Sequence, residues 1–203
     1  MKLRDARLLL VTDPRPDLAE RVASAVRGGV DIVQLRDKHA PRKELLPLAE
    51  ELREVCDREG AIFTVNDDPE LARLLGVGLH VGQKDAPLEE VRELLGPDYI
   101  IGASAGGAEE ARRAVRDGAD YLGVGTVFAT PTKADTEVSG LALIEAVARE
   151  RFPIPWFAIG GIDLENAPEV AAAGAPGFAV VRSVLDAEDP EAAAREMRAI
   201  LVG

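Results

Sequence analysis

Short apolar runs and longer amphipathic segments alternate eight times along this chain, and that alternation constrains the fold more than any other feature. The runs are Leu8–Asp13, Ile32–Asp37, Ile62–Asn66, Leu79–Gly82, Tyr99–Ala103, Tyr121–Phe128, Trp156–Ile159 and Phe178–Ser183. Several are continuous stretches of β-branched and aliphatic residues, as in parallel strands covered on both faces. The segments between them carry helical periodicity. Leu45, Leu48, Ala49, Leu52, Val55 and Cys56 share one face, and Ala108, Ala111 and Val115 share another. Asp189-Pro190 reads as an N-cap followed by the first helical position, with Ala193, Met197, Ile200 and Leu201 as the apolar stripe behind it. Pro47 and Pro168 fall inside helical patterns and are tolerable only near a helix start.

Repeated β/α units imply a parallel sheet. Gly29-Val30-Asp31, Gly118-Ala119-Asp120 and Gly174-Ala175-Pro176 each precede a strand, and glycine there lets a helix end and turn. Eight units favour closure into a single (β/α)8 TIM barrel over an open doubly wound sheet, and no glycine-rich dinucleotide fingerprint follows the first strand. With no linker or low-complexity tract, residues 1–203 read as one barrel domain with brief loops. Trp156 and Phe157 are both expected to pack in the barrel.

The 24 basic and 36 acidic residues give a formal charge of −12, which argues against nucleic-acid binding. No run approaches the ~18 apolar residues of a membrane span. The start, with Lys2, Arg4, Asp5 and Arg7, lacks the apolar stretch of a signal peptide. Cys56 is a lone cysteine, suited to a reducing compartment and to a helix face. A cytoplasmic protein is therefore expected. The oligomeric state stays open, a homo-oligomer included.

Active sites of such barrels form at the carboxyl ends of the strands. Polar residues collect there: Gln34-Leu35-Arg36-Asp37-Lys38, Asn66-Asp67-Asp68, Gly82-Gln83-Lys84-Asp85, Ser104, Thr130-Pro131-Thr132-Lys133, Gly160-Gly161 and Arg182-Ser183. Asp67 and Asp85 end neighbouring strands and are suited to a hard cation such as magnesium, which takes one or two carboxylates and keeps water and phosphate oxygens. The alternative is that they cap helices, a role that Asp68 before Pro69 fits better than Asp67. Arg36, Lys38, Lys84 and Lys133 form a cationic cluster on an acidic chain, which points to an anionic ligand. Gly160-Gly161 is either a phosphate-binding turn or a plain one. The stretch from Ala129 to Ser139 reads as a lid that offers hydroxyls, or as a featureless loop. His80 is expected to be a satisfied core or rim residue.

Taken together, Gln34 to Lys38, Val65-Asn66-Asp67-Asp68, His80 to Asp85, Gly123 to Lys133 and Ala158-Ile159-Gly160-Gly161-Ile162 resemble the thiamine-phosphate synthase family, in order and spacing, over nearly the whole chain. The resemblance implies a transferase of thiamine biosynthesis with two small-molecule substrates. It joins hydroxymethylpyrimidine diphosphate to a thiazole phosphate, carboxylated or not, and releases pyrophosphate by a dissociative, magnesium-assisted route. It implies Asp67 and Asp85 as ligands of Mg2+, and Lys133 and Ser104 as catalytic residues. Gln34, Leu35, Arg36, Asp37, Lys38, Asn66, Ser104 and Lys133 would hold the pyrimidine diphosphate. Thr130, Pro131, Thr132, Gly161 and the amides of Val181 and Arg182 would hold the thiazole phosphate. Arg182 stands where the family commonly has serine, and Ala105-Gly106-Gly107 where it has bulkier polar residues.

Two other readings compete on the same fold. A thiazole tautomerase resembles the synthase, but typically lacks the aspartates and the Thr-Pro-Thr-Lys segment and carries histidine where this chain has Thr126. A non-catalytic phosphate-binding barrel would explain Gly160-Gly161 but not the facing aspartates. A Schiff-base aldolase using Lys38 or Lys133 is a weaker third.

Overall fold

The computed structural model describes residues 2–130 and 138–202. Eight parallel strands close into a barrel in sequence order, with β8 pairing back onto β1. They are β1 (Leu8–Val11), β2 (Ile32–Leu35), β3 (Ile62–Asn66), β4 (Gly78–Val81), β5 (Ile101–Ala105), β6 (Tyr121–Val124), β7 (Trp156–Ile159) and β8 (Phe178–Val180). Around them lie α1 (Leu18–Arg27), α2 (Arg42–Glu59), α3 (Pro69–Leu75), α4 (Leu88–Leu95), α5 (Ala108–Arg116), α6 (Gly140–Arg149), α7 (Ala167–Ala172), α8 (Arg182–Leu185) and α9 (Pro190–Ile200). The strands end earlier than the apolar runs in β1, β2, β4, β6 and β8, because the last residues of those runs leave the ladder to build the rim, while β5 begins and ends two residues later than the run Tyr99–Ala103.

Alternation along each strand sorts the core into two. Leu9, Val11, Ile32, Tyr121, Phe157 and Ala179 fill the barrel, and a larger cluster lies between barrel and helices. Phe157 packs inside, as expected. Trp156 does not: the next residue along a strand points to the opposite face, and Trp156 belongs to the outer cluster. Leu35 faces outward for the same reason.

Helix starts follow the capping chemistry of the sequence. The Asp68 carboxylate accepts from the Leu71 N–H, and Asp189 accepts from the Ala192 N–H, each at 3.0 Å with proline in the first turn behind it. Pro168 also lies in a first turn. Pro47 is the exception, within α2, where it offers no N–H to the Lys43 carbonyl one turn back.

The Gly-x-Asp echo has a common structure at the amino-terminal end of the barrel. Gly29, Gly118 and Gly174 all adopt positive φ, between 97° and 112°. Asp31 Oδ2 accepts from the Arg7 and Leu8 N–H groups and from Arg198. Asp120 Oδ2 accepts from the Ile101 N–H and from Arg92. Each aspartate thus ties the start of the preceding strand to an arginine on the helix layer, at the end of the barrel remote from the carboxyl rim.

Candidate active site

The same alternation aims Gln34, Asn66, His80 and Ser104 into the carboxyl end of the barrel, above Leu9 and Val11. There they line a cavity of 530 Å³, within the range of small-molecule sites. Arg36, Thr126, Thr130, Ile159, Gly160, Gly161, Val181 and Arg182 complete its wall, with Ser183, Asp163 and Asp186 toward α7 and α8. Leu9, Val11, Ile159 and Ala179 give the cavity apolar lining, and Gln34, Asn66, His80 and Ser104 give it polar anchoring groups.

The carboxylate pair is built by the backbone. Asp67 adopts φ 61°, an uncommon conformation for a residue with a side chain, though aspartate is among those that reach it. Its N–H donates to the His80 carbonyl at 2.9 Å. This bend brings the Asp67 carboxyl into hydrogen bonding with Asp85 from the next strand's loop, and leaves Asp68 to cap α3. Asp85 is fixed by the Gly82 N–H, which donates to its Oδ2 at 2.7 Å. Lys38 reaches across from β2, its Nζ 3.7 Å from Asp67 Oδ2.

Burial, then the hydrogen bond and negative charge of Asp85, push the Asp67 carboxyl up to about 6. In Asp85 burial acts in the same upward sense, but the bond from Asp67, the Gly82 N–H and the charge of Lys38 outweigh it and hold that carboxyl low. The pair therefore shares one proton where a cation would remove the need for it. The donor set is hard oxygen, and among the described residues no cluster of three or more metal-binding side chains surrounds it. Two carboxylates with room for water and phosphate oxygens fit magnesium.

Other expected residues take different positions. The Asp37 carboxylate accepts from the His39 and Ala40 N–H groups, and those backbone bonds, first that of His39, hold it low. Asp37 thus shapes the loop after β2 and does not line the cavity. Leu35, facing the helices, does not line it either. Lys84 is exposed. Pro131, Thr132 and Lys133 lie outside the described residues. Gly161 has φ 62°, and a Cβ there would stand 2.7 Å from the Ala129 carbonyl, so the turn after β7 can follow this path only as glycine. Its carbonyl accepts from the Asn166 side chain at 2.8 Å.

The sequence reading left His80 as a satisfied residue and passed over Tyr121. Both join Ser104 in one hydrogen-bonded group below the rim. Strand parity was the available signal, since His80, Ser104 and Tyr121 are all inward positions. Ser183 lines the cavity as a rim position of the eighth unit, whereas Asp163 and Asp186 carry no signal in the sequence, because they belong to turns whose approach depends on how the barrel closes.

Comparison with known proteins agrees with this architecture. The model of the thiamine monophosphate synthase family matches residues 8–184. A thiamine-phosphate synthase of Gloeobacter violaceus is 50% identical over 190 residues, covering 93% of this chain. The chain spans only 55% of that relative's length, a little over half, as it does for several other cyanobacterial relatives. A thiamine-phosphate synthase of Thermobifida fusca is 46% identical, covering 99% of this chain and 94% of its own. The solved thiamine phosphate pyrophosphorylase of Pyrococcus furiosus superposes with a TM-score of 0.88 at 38% identity, covering 98% of this chain and 96% of that one. From β1 into α8, the chain belongs to the thiamine monophosphate synthase family.

Proposed function

We propose that this chain is a transferase that couples hydroxymethylpyrimidine diphosphate with thiazole phosphate to give thiamine phosphate and pyrophosphate. The carbon–oxygen bond to the diphosphate breaks with its electron pair leaving on oxygen. The thiazole nitrogen then forms the new carbon–nitrogen bond, with loss of carbon dioxide when the thiazole is carboxylated. The observation that carries this reading is the proton-sharing pair of Asp67 and Asp85, faced by Lys38 and adjoining Asn66, which lines the cavity. Relatives named for the same activity, one matched over nearly its full length, support it.

Ionisation is the hard step, so the residues act mainly by position and charge. Asp67 and Asp85 would hold Mg2+, which when bound supplies positive charge to the departing diphosphate. Lys38, Arg36 and Lys133 add cations to the same oxygens. Gln34, Asn66 and Ser104 orient the pyrimidine. Thr130, Pro131, Thr132 and the amides of Gly161, Val181 and Arg182 hold the thiazole phosphate, with the Arg182 guanidinium as an added charge. Leu9, Val11, Ile159 and Ala179 keep water from the carbocation. No side chain serves as nucleophile or base.

In this reading residues 1–203 form one barrel domain that works in the cytoplasm on small molecules. No helix among the described residues is long and apolar enough to cross a membrane. The test is a coupling assay with both purified substrates, with and without magnesium, following pyrophosphate and thiamine phosphate together. Thiazole turnover without pyrophosphate would establish the tautomerase instead. Stabilisation by phosphate ligands with no product and no magnesium requirement would establish a binding barrel.

A further inference from the structure

Helix α8 is a single turn, Arg182–Leu185, that starts directly behind β8. Val181, Arg182 and Ser183 at its start line the cavity, and on the coupling reading the amides of Val181 and Arg182 hold the thiazole phosphate. A helix this short has too few internal hydrogen bonds to hold its own direction. Its last carbonyls have no partner within it and must find one elsewhere.

Those partners come from across the seam where the barrel closes, between β8 and β1. The Arg15 guanidinium, in the loop between β1 and α1, donates through Nη1 to the Leu185 carbonyl. Its Nε and Nη2 donate to Asp13 Oδ1 at 3.0 and 2.6 Å, and Nη2 also donates to Asp186 Oδ1 at 2.7 Å. Arg21 on α1 donates to the same Leu185 carbonyl at 3.1 Å and to the Ala187 carbonyl at 2.9 Å. The Arg15 side chain is only 15% exposed, so the guanidinium is engaged rather than solvated. Asp13, just past the end of β1, fixes two nitrogens of the fork, and the third then sets α8 against the barrel. A cation at the carbonyl end of a helix also suits the helix dipole. Lysine would carry the charge but not the fork.

We propose, resting on the coupling reading, that Arg15 is a positioning residue for the second substrate: it clamps the carbonyl end of α8 so that the amides at the other end stay aimed at the thiazole phosphate. Arg15 does not line the cavity, so it acts through α8. Gln34, Asn66 and Ser104, which orient the pyrimidine, lie on β2, β3 and β5, and none of the Arg15 bonds involves them. The clamp therefore bears on one substrate and not on the other.

Coupling kinetics on the whole protein separate the two substrates. Arg15→Ala should raise KM for thiazole phosphate about 10-fold, the scale of one hydrogen bond to a charged group, and leave kcat and KM for the pyrimidine diphosphate within about 2-fold. Arg15→Lys should keep at least about a 3-fold rise, since it lacks the fork. Full recovery by lysine would reduce Arg15 to a charge and overturn the clamp, and equal rises for both substrates would overturn its link to α8. Arg198→Ala removes an arginine from Asp31 at the far end of the barrel and should lower Tm with both KM values unchanged. A matching rise in the thiazole phosphate KM there would make the Arg15 effect one of general stability and overturn the proposal. Amide hydrogen exchange reads the clamp without substrate. The Leu185 and Asp186 N–H groups, which donate to the Val181 and Arg182 carbonyls, should exchange about 10-fold faster in Arg15→Ala, while the amides of α3 keep their rate. Unchanged exchange in α8 overturns the proposal. Should Arg15→Ala not fold, Arg15→Lys carries both measurements. Absence of coupling by the unaltered protein would defeat the proposed function, and the exchange result would still decide whether Arg15 holds α8.

Discussion

Lys38 Nζ stands 3.7 Å from Asp67 Oδ2, so its ammonium faces the half of the carboxylate pair that keeps the proton. The ion pair joins the loop after β2 to that after β3 and places a cation beside the site where leaving-group charge would develop. Lys38→Ala should slow pyrophosphate release in a single turnover by about 100-fold, the scale for losing one donor to developing charge. Lys38→Arg should recover part of the rate. A normal single-turnover rate for Lys38→Ala would remove this residue from the chemistry.

Asp67 and Asp68 are neighbours with separable roles. Asp67→Asn or Asp85→Asn should lower coupling by more than about 100-fold, beyond the range typical of residues that merely support a metal ligand, with Tm hardly changed, since asparagine tolerates the positive φ of Asp67 and keeps an oxygen for the Gly82 N–H. Asp68→Ala should remove the α3 cap and its ion pair with Arg42, costing about 1 kcal/mol in urea unfolding, with the magnesium dependence of coupling intact. Equal kinetic losses at both positions would show that the pair is no more than part of the α3 entry.

The proton shared by Asp67 and Asp85 gives the metal-free protein a pH signature. The Asp67 carboxyl is raised in the folded protein to about 6, from an ordinary value of 3.8, so the folded state binds more protons than the unfolded one between those values. Its contribution to stability is full at low pH and is lost as pH rises through that window. Asp67→Asn should therefore gain stability relative to the parent as pH rises toward neutrality, in metal-free urea titrations. A difference that stays constant across the window would contradict the shared proton.

At the opposite end of the barrel, Asp31 is 6% exposed and holds two backbone N–H groups and Arg198. Asp31→Ala leaves those donors unsatisfied and should cost about 3 kcal/mol. Asp120→Ala should cost about 1 kcal/mol, since its side chain is 38% exposed. Substrate KM should be unchanged in whichever variants stay folded, because this end carries stability and the other carries the site. Denaturant titration together with KM measures both.

Cys56 is fully buried on α2, and burial, with the charge of Asp57 adding to it, pushes its thiol up to about 12. Disulfide exchange reagents should label it only as fast as the chain opens, and immediately in denaturant. Rapid labelling of the folded protein would show that α2 detaches locally.

Much of this protein was legible in the order of its residues. Apolar runs between helical patterns gave eight alternating units, and local chemistry gave Asp68 and Asp189 as caps, because such features depend on neighbours within a few positions. Rim residues such as Gln34, Asn66 and Ser104 followed from where apolar runs stop. Their place at the ends of neighbouring strands offered Asp67 and Asp85 as metal ligands beside a capping alternative, and the resemblance favoured the metal.

Closure of the barrel decided the rest. It turned Leu35 and Trp156 to the helix side while sending Gln34 and Phe157 inward, a choice of face that runs of uniformly apolar residues leave open. It brought Asp67 against Asp85 through a left-handed bend that no local pattern encodes. It also assembled Tyr121, His80 and Ser104 from three strands, far apart in sequence and adjacent in the barrel. Periodicity is set within one segment, whereas the protonation of a carboxylate pair depends on partners that only the register of neighbouring strands brings within reach.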